Sequence, residues 1–202
     1  MSIAVINSGG ANLGSVIHAL GRLGVDGLLT RDADEIRAAT HVILPGVGAA
    51  ASAMAALREA GLVEVIRSLT QPVLGICLGL QLLYEYSEEG EAECLGILPG
   101  RVERLAGGPG LRLPHMGWNR LSWQRDDPLA RGLEGSEWFY FVHTYAAPLD
   151  HAVATATHGR EFAAVVRCGN FAACQFHPEK SAGPGARILR NFLGQSLLGQ
   201  SR

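Results

Sequence analysis

The feature of this sequence that most constrains its fold is the apolar run at residues 72–83, PVLGICLGLQLL, in which a cysteine lies between two glycines. Gly75 and Gly79 each stand two positions from Cys77. This spacing is typical of a nucleophile elbow, in which a strand ends in a sharp turn, carries a nucleophile at the tip and continues at once as a helix. Bulky side chains at the flanking positions would clash with the neighbouring backbone, and glycine avoids that clash.

The position of Cys77 also bears on its chemistry. A thiol just before a helix N-terminus feels the positive end of the helix dipole, which favours the thiolate, the form that attacks a carbonyl carbon. A cysteine in an apolar run also fits an inert place in a hydrophobic core. The paired glycines favour the nucleophile, and the core alternative stays open from this segment alone.

A second segment, FAACQFHPEKS at residues 171–181, supplies a base and a residue to orient it. His177 and Glu179 are two positions apart, so in an extended chain both point to the same side, and Pro178 opposes a helix there. His177 would accept the proton of Cys77 and later protonate a leaving amine, while Glu179 would hold the useful tautomer. The alternative is that His177 and Glu179 form a solvated pair on the surface.

Acyl transfer through a thiolate also needs donors for the oxyanion that develops. The segment HVILPGVGAA at residues 41–50 predicts a strand that breaks at Pro45, followed by two glycines that allow a backbone N–H to turn into a cavity. The amides of Val47 and Leu78 would then form a two-donor oxyanion hole. An ordinary loop between a strand and a helix is the other reading of this segment.

Composition excludes several classes of function. At 202 residues, 48% of them hydrophobic, the chain can bury a substantial core as one domain over residues 1–202. The net charge of −2 offers no basic surface, so we expect no nucleic-acid partner. The uncharged stretch at residues 42–57 is shorter than the ~20 residues of a membrane span and is broken by Pro45, Gly46 and Gly48, so we expect no membrane association.

The 4 cysteines show no paired metal-ligand spacing. Nothing at the N-terminus is typical of a signal peptide, so we expect free thiols in a cytoplasmic protein. We expect neither a metal nor another cofactor.

Strand and helix patterns alternate in the first half of the chain, and strands dominate later. This rhythm predicts an α/β fold in which a mostly parallel central sheet is flanked by helices, with ligands bound at the carboxyl ends of its strands. Hairpins added to the same sheet are expected from residue 95 onward. The expected strands span residues 3–7, 25–30 and 41–44, and a further strand ends at Cys77. The expected helices span residues 12–23 and 186–198, with three others between them: one capped by Asp32, one ending at Gly61, and one from the elbow to about residue 86.

The motifs GICLGLQ, PGVG and QFHPEKS resemble the class I (triad) glutamine amidotransferases, whose flavodoxin-like glutaminase domain carries Cys, His and Glu in that chain order. The stretches LPHMGWN at 113–119 and YFVHTY at 140–145 are similar to the glutaminase subunits of imidazole glycerol phosphate synthase. The resemblance runs from residue 3 to about 192. One departure is GGANL at residues 9–13, where Ala11 replaces the more usual glycine.

The resemblance implies a glutaminase that forms a γ-glutamyl thioester and passes ammonia to a separate (β/α)8-barrel cyclase in a heterodimer. That cyclase forms imidazole glycerol phosphate and an aminoimidazole carboxamide ribotide. The implied substrate-binding residues are Gly48, Gln81, His143, Thr144 and Tyr145, the last three through backbone groups.

Gln81 is also expected at the pocket because it lies one helical turn after Cys77 and because a buried glutamine needs a partner. The alternative is that Gln81 is an ordinary polar residue of the helix.

The implied interface with the cyclase comprises Met116, Trp118, Tyr140 and Lys180. Lys180 is the sole lysine among 17 basic residues, which suggests a specific requirement for a compact ammonium group. Met116 and Trp118 are also compatible with core packing. Two other functions stay open from the sequence: a sister amidotransferase of anthranilate or pyridoxal phosphate synthesis, and a non-catalytic regulatory relative.

Overall fold

The structure is a computed structural model of the chain, and it describes residues 1–9, 13–108 and 110–194. Its helices are α1 (Leu13–Arg22), α2 (Ala33–Ala38), α3 (Ala50–Glu59), α4 (Val63–Arg67), α5 (Leu78–Leu82) and α6 (Ala182–Phe192). Its strands are β1 (Ile3–Ile6), β2 (Gly27–Thr30), β3 (His41–Gly46), β4 (Val73–Cys77), β5 (Tyr84–Ser87), β6 (Ala92–Glu93), β7 (Leu98–Arg104), β8 (His115–Arg120), β9 (Ser122–Trp123), β10 (Trp138–His143), β11 (Tyr145–Ala146), β12 (Ala152–His158), β13 (Arg160–Cys168) and β14 (Phe171–Cys174).

Eight strands form the central sheet, in the order β2-β1-β3-β4-β14-β13-β12-β9. The first five are parallel, and the last three continue the sheet with antiparallel pairs. The predicted α/β fold, with a mostly parallel sheet and added antiparallel strands, is confirmed. Strand β14 joins the parallel part to the antiparallel part, and its Cys174 pairs with Ile76 of β4.

Hydrophobic side chains of the sheet alternate between two packed layers, as strand geometry requires. On β1, Ala4 and Ile6 face the layer that contains buried residues of α2 to α5 and of β7. Ile3 and Val5 face the opposite layer, which contains buried residues of α1, α6 and β10. The strands that carry the candidate site are therefore covered on both faces, and their carboxyl ends are fixed by packing.

The predicted cap of the second helix is confirmed. The Asp32 carboxylate accepts hydrogen bonds from the amides of Asp34 and Glu35, at 2.8 and 3.0 Å. These bonds satisfy two amides of the first helical turn that have no partner within the helix.

Pro45 does not break its strand, contrary to the prediction. Strand β3 continues to Gly46, with Pro45 opposite Ile76 and Gly46 opposite Cys77. On the other side, the pairing of β3 with β1 stops at Ile43. No ladder bond to β1 is therefore lost at Pro45, which lacks a backbone N–H.

The helix after Cys77 is shorter than predicted. Helix α5 ends at Leu82, and residues 84–87 form strand β5 instead of the expected helical turn. Strand β5 pairs in parallel with β7 and antiparallel with β6. The prediction also missed helix α4, which lies between the Ala-rich helix and β4.

The hairpins of the second half were predicted to extend the central sheet, but not all of them do. Strands β8 and β10 form a separate two-stranded sheet, and β11, β7, β5 and β6 form a four-stranded sheet. The turn at Gly169 does connect β13 to β14 as predicted. The closing helix α6 begins four residues earlier than predicted, and its expected extension to residue 198 lies outside the described residues. Ala11, at which the sequence departs from the family pattern, also lies outside them.

Across residues 1–9, 13–108 and 110–194, no helix has the length and apolar character required to cross a membrane.

Candidate active site

Cys77 has an unusual backbone conformation at the end of β4. Its φ and ψ angles are 55° and −107°, in a region that residues other than glycine rarely adopt. Leu78 begins helix α5 directly after it. A strained cysteine between a parallel strand and a helix is the geometry that the glycine spacing predicts, and such strain is concentrated at functional sites.

The flanking glycines are required by close backbone approaches. A Cβ added at Gly79 would lie 1.8 Å from the carbonyl oxygen of Leu44, and one at Gly75 would lie 2.8 Å from the carbonyl oxygen of Gly79. A Cβ at Gly46 would lie 2.8 Å from the Cβ of Leu78. The β3 end, the elbow and the first turn of α5 are therefore packed backbone against backbone.

His177 reaches the same edge of the sheet because β14 lies beside β4. Its Nδ1 lies 2.7 Å from Oε1 of Glu179, and both side chains are almost completely buried, with 3% and 2% exposed. An extended chain was predicted here, but the structure differs. Pro178–Lys180 form a 3-10 turn, and this turn brings the carboxylate back to the imidazole.

Opposing effects set the protonation of His177. Burial lowers its pKa, but the contacts with Cys77 and Glu179 outweigh burial and raise the pKa above that of an ordinary histidine. Nε2 of His177 is buried and has no hydrogen-bond partner among the described residues. Because Nδ1 is held by the carboxylate, Nε2 is the nitrogen left to exchange a proton with a neighbour.

Besides its contact with His177, the Cys77 thiol has two polar neighbours. Its Sγ lies 3.8 Å from the carbonyl oxygen of Val142, and Nε2 of Gln175 donates to Sγ at 3.7 Å. Cys77 is buried, with 7% exposed. Gln175 was not among the predicted site residues.

A cavity of about 420 Å³ opens over the thiol, within the size range of small-molecule sites. Glu179 lies behind His177 and does not line it. Ten of the sequence-predicted residues line the cavity: Val47, Gly48, Cys77, Leu78, Gln81, His143, Thr144, Tyr145, His177 and Lys180. Three lining residues were not predicted: Glu89, Pro114 and Val142.

Gln81 is buried, as expected, and its amide is mostly engaged within the protein. Its Nε2 donates to the carbonyl oxygen of Tyr145 at 3.0 Å and to Oε1 of Gln175 at 3.1 Å. Its Oε1 has no hydrogen-bond partner among the described residues. An acceptor oxygen on a cavity-lining residue is therefore available to a donor group of a ligand.

Glu89 supplies a carboxylate to the cavity. Burial raises its pKa, and a hydrogen bond of 3.3 Å from the backbone amide of Ala50 acts in the opposite direction. No local sequence signal indicates this role, since Glu89 follows the segment expected as the end of a helix. Its position depends on the turn between β5 and β6.

A pair of buried histidines supports the strand beside the cavity. Nδ1 of His143 donates to the carbonyl oxygen of Tyr145 at 2.8 Å, which leaves Nε2 as an acceptor for Nδ1 of His115 at 3.0 Å. Burial lowers the pKa of His143 to about 3, and burial followed by the charge of His158 lowers that of His115 to about 4. Both imidazoles are neutral near pH 7.

The predicted interface residues lie outside the core. Met116 and Trp118 are 63% and 50% exposed, so the core-packing alternative is wrong for both. Trp118 makes an edge contact with Tyr140 on the neighbouring strand β10, and Lys180 is exposed at the cavity. Trp138 adds a further exposed aromatic side chain to the same two-stranded sheet.

The sequence matches the family described as glutamine amidotransferase class-I over residues 4–195. It is 57% identical to the imidazole glycerol phosphate synthase subunit HisH of Xanthomonas axonopodis pv. citri, over 96% of this chain and 98% of that protein. It is 55% identical to the HisH 2 subunit of Legionella pneumophila, over 95% and 96% of the two chains. A solved glutamine amidotransferase structure aligns with a TM-score of 0.75 at 24% identity, covering 96% of this chain and 98% of the other, which shows a shared fold.

Proposed function

The chain belongs to the glutamine amidotransferase class-I family and, within it, to the HisH glutaminase subunits of imidazole glycerol phosphate synthase, and we propose that Cys77 is its nucleophile. In this proposal residues 1–202 form one glutaminase domain that releases ammonia from glutamine for histidine biosynthesis. The observation that carries it is the meeting of the strained Cys77 with the His177–Glu179 pair at one cavity.

In the first chemical step, the Cys77 sulfur attacks the side-chain carbonyl carbon of glutamine while its proton passes to Nε2 of His177. Glu179 holds Nδ1 and stabilises the imidazolium that forms. The protonated imidazole then gives its proton to the leaving nitrogen, ammonia departs, and a γ-glutamyl thioester remains on Cys77. The raised pKa of His177 favours uptake of the proton in this step.

The amides of Val47 and Leu78 are the proposed oxyanion donors. Both residues line the cavity, and Leu78 follows the nucleophile directly. Gly48, with a φ of 92°, is in the left-handed region, where glycine is favoured. The segment is therefore suited to a change of peptide orientation between Gly46 and Gly48.

The amino-acid end of glutamine has two proposed contacts in the cavity. The Glu89 carboxylate suits the α-ammonium group of the substrate, and the free Oε1 of Gln81 can accept one of its protons. Backbone groups of His143, Thr144 and Tyr145 complete the proposed binding site, supported by the buried histidine pair.

The proposed partner is a separate (β/α)8-barrel cyclase that uses the ammonia. This proposal is supported by the HisH relatives, which are named as synthase subunits, and by the exposed Met116 and Trp118, the latter in contact with the half-buried Tyr140. Lys180 lines the cavity and is also exposed at the surface. We place the heterodimer in the cytoplasm, which suits the four cysteines, none of which is paired.

Activity is proposed to depend on that partner. In the proposed resting state the Val47 amide points away from the cavity, and docking of the cyclase with its nucleotide substrate favours the turned peptide. One oxyanion donor is worth roughly 3 kcal/mol, or about two to three powers of ten in rate. A single peptide flip therefore suffices for a large activation with no movement of the catalytic side chains.

The experiment is a steady-state glutaminase assay on the chain alone, on the complex isolated with its partner, and on the complex with the partner's nucleotide ligand. We expect almost no glutamate from the chain alone and strong stimulation by the ligand. Full activity of the isolated chain would refute the dependence on the partner. A Cys77→Ala complex that still hydrolyses glutamine would refute the assignment of the nucleophile.

A further inference from the structure

The side-chain amide of Gln175 lies between Gln81, which lines the cavity, and the sulfur of Cys77. Its side chain is completely buried. Its backbone amide donates to the carbonyl oxygen of Ala164 at 2.9 Å, which fixes the residue beside β13. Its amide group faces Gln81 on one side and Cys77 on the other.

The orientation of the Gln175 amide follows from its neighbours. The carbonyl oxygen of Tyr145 can only accept, so the Gln81 atom that contacts it is the donor Nε2. The same Nε2 lies 3.1 Å from Gln175, whose facing atom must therefore be the acceptor Oε1. The donor Nε2 of Gln175 is consequently the atom directed at the Cys77 sulfur, 3.7 Å away.

We propose that Gln175 is a further catalytic residue, whose amide N–H stabilises the Cys77 sulfur whenever that sulfur carries negative charge. The proposal deepens the proposed function and rests on Cys77 being the nucleophile. A hydrogen bond to a charged acceptor is roughly twice as strong as one to a neutral acceptor. The Gln175 bond therefore strengthens as the thiolate forms and weakens when the sulfur is acylated.

The largest effect is expected in thioester hydrolysis. A water oxygen bonds to the carbonyl carbon of the thioester, and a water proton passes to Nε2 of His177. The carbon–sulfur bond then breaks, and its electron pair returns to the Cys77 sulfur. The products are the γ-carboxyl group of glutamate and a thiolate, which Gln175 stabilises as the leaving group.

The test compares alkylation of Cys77 by iodoacetamide, as a function of pH, in the wild type and in Gln175→Met. Peptide mass spectrometry separates Cys77 from the other three cysteines. Gln175→Asn is the second variant, because its shorter side chain withdraws the donor and keeps a polar group if methionine prevents folding. Gln71→Met is the matched control: Gln71 precedes β4 at the end opposite Cys77 and binds the carbonyl oxygen of Ile36.

We expect both Gln175 variants to move the midpoint of the alkylation curve upward by about one pH unit, or about tenfold in rate below the midpoint. Gln71→Met leaves the midpoint unchanged. In the complex with the cyclase, the Gln175 variants lower kcat more than they change KM, and acid-quenched samples accumulate the thioester.

An unchanged alkylation midpoint in both folded variants would overturn the role of Gln175, and so would a shift of equal size in Gln71→Met. The alkylation assay needs no glutamine turnover. Failure of the proposed glutaminase function, seen as activity that survives Cys77→Ala, is therefore distinguished from failure of this inference.

Discussion

The backbone amide of Tyr140 donates a hydrogen bond of 2.9 Å to the hydroxyl of Ser181. That hydroxyl donates in turn to the carbonyl oxygen of His177 at 2.7 Å, and the amide of His177 donates back to the carbonyl oxygen of Tyr140 at 2.9 Å. Strand β10, which carries the proposed interface residue Tyr140, is thus attached at two points to the segment of His177, the proposed base. A displacement of β10 by a partner would move His177 directly.

Replacing Ser181 by alanine tests this attachment. Because Ser181 is completely buried, Ser181→Ala leaves the Tyr140 amide without its partner and lowers the free energy of unfolding by about 1–3 kcal/mol. We also expect a weaker response of the glutaminase rate to the cyclase ligand. Urea unfolding and the stimulated assay measure the two effects, with Ser52→Ala on an exposed position of α3 as the control.

The catalytic assignments predict an order of severity. Cys77→Ala and His177→Asn abolish glutamine hydrolysis by the complex, at a loss of about a thousandfold or more, since each removes a group that exchanges electrons or protons with the substrate. Glu179→Gln is milder, because it disturbs the orientation and tautomer of His177. Circular dichroism and trapping of the γ-glutamyl intermediate accompany the assay, and a larger loss in Glu179→Gln than in His177→Asn would reverse the roles.

Lys180 is predicted to act in stimulation by the partner. Its side chain is exposed at the cavity, so Lys180→Ala removes a charge at the interface with little loss of packing. We expect stimulation by the cyclase ligand to fall about tenfold, with a smaller change in the affinity of the two subunits. Titration calorimetry and ligand-dependent glutaminase rates measure both, and Arg125→Ala, at another exposed cation, should change neither.

Gly79 is predicted to be irreplaceable for steric reasons. The methyl group of Gly79→Ala would lie 1.8 Å from the Leu44 carbonyl oxygen, so the elbow must shift at a cost of more than about 3 kcal/mol. Gly21→Ala is the matched control, because nothing lies within 4 Å of an added Cβ in helix α1. That variant should gain about 0.5–1 kcal/mol, and thermal unfolding compares the two.

The buried histidines predict a pH dependence of stability. Burial, followed by the charge of His158, lowers the pKa of His115 to about 4, below that of an unfolded histidine near 6.5. Between these values the unfolded chain binds more protons than the folded chain, so this contribution is present near neutral pH and is lost on acidification. The wild type has this pH-dependent contribution to stability, and His115→Gln lacks it.

The stability deficit of His115→Gln should therefore shrink by about 1–2 kcal/mol between pH ~7.5 and pH ~5. The raised pKa of His177 acts in the opposite direction, but it is common to both proteins and cancels in the difference. Urea unfolding at the two pH values measures the deficit, and a constant deficit would contradict a neutral, buried His115.

The elbow and the parallel strands could be predicted because their signals are local. Gly75 and Gly79 mark a close approach that can be recognised from their spacing alone, and an apolar run bounded by turn residues indicates a buried strand. The motifs around Cys77 and His177 were sufficient to predict that these two side chains meet at one cavity. The meeting itself depends on β14 pairing beside β4, which the βα rhythm predicts only as a class of fold.

The remaining features depend on contacts that are distant in sequence. Residues 84–87 form a strand because they pair with β7 and β6, although their local pattern continues the helix. Pro45 stays within a strand because β1 ends its pairing two residues earlier. Glu89 and Gln175 become part of the site through tertiary packing. Glu89 stands in no motif, and Gln175 opens the motif QFHPEKS, whose spacing indicates roles for His177 and Glu179 only.

Strand β14 lies between β4 and β13, and it is the last strand of the described chain to leave the ribosome. Cys77 is synthesised a hundred residues before His177, its proposed base. A chain that stops before residue 171 lacks both β14 and His177, so the strand between β4 and β13 is missing from the central sheet. Under the proposed mechanism, fragments from interrupted translation therefore consume no glutamine.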